Sequence, residues 1–176
     1  MTRGSSTRAR ERARRDRTRA SAAADAMDTR EVGGVIFDYD ALFERGRRGG
    51  AVPTFAAPME GLGDARFRIA LAANGKGGFD EACREFIRVP GTLPNGADPE
   101  KLLRNLCARY DADELSGIPL GAQIMGSEPW LLTLAAEYLT REKRAPRVDL
   151  NCGCPANVVT GKGAGSSLLR DPEDVY

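Results

Sequence analysis

From Thr54 onward the chain alternates short apolar runs with longer helical stretches, and that alternation admits few architectures. Strands are expected at Thr54–Met59, Cys83–Val89, Leu120–Met125 and Arg147–Leu150. Between them lie helical segments: one opening at Asp64 and carrying Phe67, Ile69 and Leu71, one opening at Asp98-Pro99 with Leu102, Leu103 and Leu106 on its buried face, and one running from Glu128-Pro129 through Leu139. A fourth helix is expected to open at Asp171-Pro172. Pro costs nothing at a first helical position, because the N–H it lacks would have no acceptor within the helix. Strand–helix repeats of this kind build a parallel sheet, so the fold class is α/β. Four such units are half of an eight-stranded barrel, and half a barrel leaves two sheet edges with unpaired backbone groups. The chain is therefore expected to be a piece of a longer barrel in preference to a small sheet covered in some other way.

Residues 1–50 follow a different rule. Met1 to Arg30 hold nine Arg against four acids, a net of +5, which leaves −4 on the remaining residues (17 basic, 21 acidic) of a chain whose overall charge is only +1. The body is thus no polyanion-binding surface on charge alone. The leader has almost no large apolar side chains before Met27, too few to offset the entropy of ordering, and is expected to be disordered. It reads equally as an organellar transit peptide, as a basic arm that touches RNA, or as an over-extended gene start. The compartment is expected to be the cytoplasm, or a chloroplast or mitochondrion if the transit reading holds. Val35–Tyr39 could be a short strand or the start of a small helix, and Arg45–Gly50 reads as a flexible linker, so the domain proper is expected over 51–176.

Several chemistries are disfavoured at once. No run of 18 apolar residues exists to span a membrane. The chain has no His, and its four Cys, at 83, 107, 152 and 154, lack the paired spacing of structural zinc, so no metal is expected. No secretory signal precedes those thiols, and a reducing compartment suits them.

In a barrel the strand C-termini converge on one face. Here they offer Pro58-Met59-Glu60-Gly61, then Glu85 and Arg88, then Gln123, then Asn151 and Cys154. A Met, two amides, a Cys and an Arg around one pocket include no paired carboxylates and no nucleophile with a base beside it. The set is unsuited to hydrolysis and suits a planar cofactor that brings its own reactivity. Cys154 is delivered by a short strand into a Gly- and Lys-rich loop, whose Lys162 sits in a run that fits neither phosphate-binding glycine pattern.

Ala57-Pro58-Met59-Glu60-Gly61, Ala122–Gly126, Asp149-Leu150-Asn151-Cys152-Gly153-Cys154-Pro155 and Gly161–Leu169 occur in order and at the expected spacing. Together they resemble the tRNA-dihydrouridine synthases, and Glu85–Val89 further resembles their bacterial C-type branch. The resemblance covers about residues 54 to 176 and implies the N-terminal half of a (β/α)8 TIM barrel. It implies FMN as cofactor with NADPH as reductant, and tRNA as substrate and partner. By the same resemblance Ala57, Pro58, Met59 and Gln123 would contact the flavin, while Asn151, Arg88 and Lys162 would meet the tRNA. Cys154 would be the general acid: hydride goes to C6 of uracil, and C5 then needs a proton, which an ordinary thiol with a pKa of about 8.5 can hold at neutral pH and still release. Cys152 is expected only to pack. The alternatives are a non-catalytic remnant that binds RNA or a protein, and another FMN barrel acting on a small metabolite; the Asn151–Pro155 element speaks against the latter.

Overall fold

Short parallel strands form one five-stranded sheet in the larger part of the chain. The computed structural model describes residues 29–32, 35–75, 78–93, 96–171, 173 and 175. Its elements are β1 (Thr29–Val32), β2 (Val35–Asp38), α1 (Tyr39–Arg47), β3 (Phe55–Ala56), α2 (Ala65–Gly75), β4 (Glu81–Cys83), β5 (Ile87–Arg88), α3 (Pro99–Leu106), β6 (Leu120–Met125), α4 (Pro129–Arg141), β7 (Val148–Leu150) and α5 (Asn157–Thr160), followed by a 3-10 helix over Gly165–Arg170. They divide into two compact units, the first taking in Val35–Val52 and the second running from Pro53 onward.

In the first unit β1 and β2 pair, and α1 follows directly. Asp38 caps α1 by accepting from the Ala41 N–H at 2.9 Å. Glu44 bonds Arg47 and lies 3.4 Å from Arg48, holding the last turn together. This corrects the linker expected over Arg45–Gly50: Arg45, Gly46 and Arg47 are helical, and only at Gly49, with φ at +78°, does the chain turn away. The disorder expected of the leader concerns residues that, apart from Thr29 and Arg30 in β1, lie outside those described.

In the second unit β3 pairs with β4 (Phe55 opposite Glu81), β4 and β5 both pair with β6 (Ala82 opposite Leu120, Ile87 opposite Ile124), and β6 pairs with β7 (Ala122 opposite Val148). All four contacts are parallel and sequential, the order of a barrel half. The expected Thr54–Met59 strand shrinks to two residues, since Pro58 has no N–H to offer and the Thr54 N–H turns to the Asp80 carboxylate at 2.9 Å.

The Cys83–Val89 strand is present but broken. Three residues lie between Cys83 and Ile87, whereas two lie between their partners Gly121 and Ile124, so one extra residue bulges out. The Arg84 N–H still donates to Gly121 O at 3.0 Å and the Val89 N–H to Met125 O at 2.8 Å, which keeps β4 and β5 on one path. Ala82, Ile87 and Val89 then face the helices, and the bulge sends Glu85 the same way. There Arg68 of α2, nearly buried, lies 2.8 Å from Glu85 and 2.7 Å from Glu114 and donates to the Gly63 carbonyl. Burial works against its charge, and the two carboxylates outweigh that and raise its pKa. Among the described residues of α2, Arg68 is thus the buried side chain, while Ile69 and Leu71 are exposed.

Asp98 caps α3 through the Glu100 N–H at 2.9 Å, with Pro99 in the first turn. In α4, Leu131, Ala135 and Leu139 recur every fourth residue and have no solvent exposure. They close on Leu120, Ala122 and Ile124 of β6, forming the main core with Leu103, Cys107 and Tyr110. The helix expected at Asp171-Pro172 falls partly outside the described residues, and the short elements Asn157–Thr160 and Gly165–Arg170 that precede it had no strong periodicity to announce them. No described helix is long and apolar enough to cross a membrane.

Two consequences can be measured. Leu139→Ala removes a wholly enclosed side chain and is expected to cost about 2–5 kcal/mol in a denaturant titration. Burial raises the thiol of Cys83 to about 12 and that of Cys107 to about 11. Thiols held neutral in the fold but free to ionise once unfolded contribute stability that is full below the ordinary thiol pKa and lost as pH climbs toward these raised values. Melting temperatures should accordingly fall from about pH 9 upward, and fall less steeply in a Cys83→Ala, Cys107→Ala variant.

Candidate functional site

Alternation along the strands sorts their side chains into two faces. The face away from the helices carries Glu81 and Cys83 from β4, Gly121 and Gln123 from β6, and Arg147, Asp149 and Asn151 from β7 and its flanks. Such a concentration of polar groups inside a sheet layer has to be satisfied internally. Glu81 has no exposure at all, and its Oε1 accepts from Arg147 at 2.9 and 2.7 Å. A Cβ at position 121 would stand 2.7 Å from that oxygen, so Gly121 is what leaves room for the pair. Arg147 donates onward to Asp149 at 3.1 Å, while its guanidinium also lies over the Phe55 ring. Desolvation opposes the Arg147 charge, but the bonds and charge of Glu81 prevail and its pKa rises.

From Asp149 the network turns toward the loop. Gln123 donates to Asp149 at 2.5 Å, Asn151 donates to Gln123 Oε1 at 2.9 Å, and Asn151 Oδ1 accepts from the N–H groups of Gly153 and Cys154, both at 3.0 Å. Asn151 remains in the ladder as well, its own N–H donating to Ile124 O at 2.9 Å. Downstream the chain folds back so that the Ser166 N–H donates to Cys154 O at 3.0 Å. Gly165, with φ at +61°, makes that approach possible: a Cβ there would fall 2.6 Å from the Cys154 carbonyl oxygen. Cys154 itself is half-buried and packs against a small cluster of Met125, Val159 and Ala164, with Phe86 beside it. Burial, then the Asp149 charge, raises the pKa of neighbouring Cys152.

The structure thus brings Gln123, Asn151 and Cys154 into one bonded sequence. Ala57 and Met59 stand apart from it, lining a cavity of about 150 Å³ with Phe67, Arg68 and Cys83, and Pro58 between them is half-buried. Arg88 bridges the two groups: it is exposed, bonds Glu60 at 2.9 Å next to Met59, and lies 4.8 Å above the ring of Phe86. Lys162 is exposed on the following loop, where its backbone N–H closes a turn on Val159 O at 3.0 Å. Glu85, expected at the pocket, is on the other face of the sheet with Arg68, because the bulge reversed its direction. Sequence reasoning passed over Glu81, Gly121, Arg147, Asp149 and Gly165. The alternate polar residues Arg147, Asp149 and Asn151 were a visible signal of a polar strand face; the two glycines gave none until their neighbours were known. With Glu81 and Asp149 both tied to Arg147, this site offers a thiol, two amides and an open rim. Among the described residues no group of three or more His, Cys, Asp or Glu could hold a metal.

A family model described as Dihydrouridine synthase (Dus) matches residues 55–176. The chain is 38% identical over 123 residues to the tRNA-dihydrouridine(16) synthase of Salmonella typhimurium, across 68% of this chain and 37% of that protein. It is 40% identical over 121 residues to the protein of the same name from Cupriavidus necator, across 68% and 35%, and 41% identical over 117 residues to that of Pseudomonas putida, across 66% and 35%. These alignments span little more than a third of the relatives' own length.

Gly165→Ala tests how the cysteine loop is held. Strain at a positive φ and the clash with the Cys154 carbonyl should together destabilise the protein by about 1–3 kcal/mol, read from thermal denaturation.

Proposed function

The chain belongs to the dihydrouridine synthase family, and we propose that its half-barrel carries the proton-donating part of a flavin-dependent reductase that converts a uridine of tRNA to 5,6-dihydrouridine. The observation that carries this reading is the seating of Cys154, a half-buried thiol in a loop bonded through Asn151 to Gln123 at the mouth of the sheet. Saturating the C5–C6 bond of uracil requires a hydride and a proton from separate sources. FMN, reduced by NADPH, supplies the hydride to C6 when bound. The residues present fit a flat heteroaromatic ring of that kind. Gln123 is 7% exposed and has an amide for the ring's polar edge, while Ala57, Pro58 and the exposed Met59 offer apolar surface at the end of β3, on the far side of β4.

Cys154 delivers its proton to C5, on the side its loop presents. Asn151 keeps the thiol's backbone from shifting while it does so. A stacked uridine cannot reach such a site inside folded tRNA and has to be turned out of its stack, at a cost of a few kcal/mol that phosphate contacts offset. Arg88 and Lys162, both exposed on the rim, are the cations for those contacts; Arg88 exchanges Glu60 for a phosphate when it engages. The names of the relatives support uridine 16 as the target.

Cys154→Ala, assayed on unmodified tRNA with FMN and NADPH, is expected to lose turnover by about two orders of magnitude or more. Its FMN affinity should match the parent's, because the thiol acts on the proton and not on the cofactor. Dihydrouridine formed at the parent rate by this variant overturns the assignment.

A further inference from the structure

A carboxamide can stand either way round, since its oxygen and nitrogen occupy nearly the same space. Gln123 and Asn151 therefore need something that decides their sense. A carboxylate only accepts and a guanidinium only donates, so neither can be inverted. The sense of the whole series follows from such a pair: Glu81 accepts from Arg147, Arg147 donates to Asp149, and Asp149 obliges Gln123 to present its Nε2. Gln123 Oε1 is then left for Asn151 Nδ2, and Asn151 Oδ1 for the N–H groups of Gly153 and Cys154. We propose that Asp149, seated by Arg147 on Glu81, is a positioning residue that sets the direction of both amides and through them fixes the loop bearing Cys154. The consequence for catalysis rests on the role of Cys154 argued above; the relay itself does not.

The proposal makes a directional demand. In Asp149→Asn, Arg147 still donates, so the new amide turns its oxygen to Arg147 and its NH2 to Gln123. Gln123 must flip to accept, Asn151 must flip in turn, and an NH2 then confronts the two loop N–H groups. Donors facing donors release the loop. Adding Asn151→Asp restores an acceptor at the loop: the flipped Gln123 donates to one carboxylate oxygen and the other takes the N–H groups. The double variant exchanges one carboxylate and one amide between two positions, so its net charge is unchanged.

The test follows iodoacetamide alkylation of Cys154 in the full chain by peptide mass spectrometry, with the fully buried Cys107 reporting any opening of the fold. Asp149→Asn should raise the Cys154 rate about ten-fold, the scale of two lost hydrogen bonds, and leave Cys107 as slow as in the parent. The double variant should return Cys154 to about the parent rate. An unchanged Cys154 rate in the single variant, or no recovery in the double, overturns the relay. Should Asp149→Asn open the fold, with Cys107 reacting too, the double variant decides in the same way: recovery of both rates supports the relay and failure to recover refutes it. Alkylation needs neither flavin nor tRNA, so a failed relay and a failed reaction are told apart.

Discussion

The contact between Arg147 and Glu81 is the constraint on which the functional face depends. A carboxylate with no solvent exposure is tolerable only with a charged partner at bonding distance, and Arg147 supplies two nitrogens to one of its oxygens. The second oxygen of Glu81 has no hydrogen-bond partner among the described residues, so Arg147 carries the whole burden. This pair crosses from β4 to β7 over β6, and it can do so only because position 121 has no side chain. Three strands are tied together on the face that the helices do not cover, and the amides that reach Cys154 begin from that tie.

The opposite face solves a similar problem by different means. Arg68 and Glu85 meet between α2 and the sheet only because one extra residue in the second strand turns Glu85 toward the helices. Without that residue, simple alternation would send Glu85 to the face with Cys83 and leave Arg68 with Glu114 and the Gly63 carbonyl alone. The bulge therefore divides the charged groups of the strand between the two faces: Glu85 supports the helix layer, and Arg88, beyond the bulge, points to the rim above Phe86. A local irregularity of the backbone decides which charge serves the scaffold and which is available to the proposed substrate.

Much of this was legible before any coordinates. The strand β6 is found where its apolar run predicts it, α3 begins at the Asp98-Pro99 signal, and β7 ends where Asn151 was expected to leave the sheet. Those segments carry strong local signals, a largely apolar six-residue run or a cap followed by Pro. The failures share a cause as well. Arg45–Gly50 reads as linker by composition, yet a cap at Asp38 and ion pairs from Glu44 extend the helix into it. Nothing within α2 announces that Arg68 is buried there while Ile69 and Leu71 are exposed, because the partners of Arg68 lie 17 and 46 residues away in the chain.

The sequence by itself determined the parallel α/β order, the strand that delivers Cys154, and the membership of Gln123, Asn151 and Cys154 in one neighbourhood. These follow from periodicity and from the rule that barrel strand ends converge. What only the tertiary structure decided is which way the groups face and what holds them: the bulge behind Glu85, the space at Gly121 and Gly165, and the direction of bonding from Arg147 to Cys154. Register and close approach depend on atoms brought together from distant parts of the chain, and no window of residues contains both sides of such a contact.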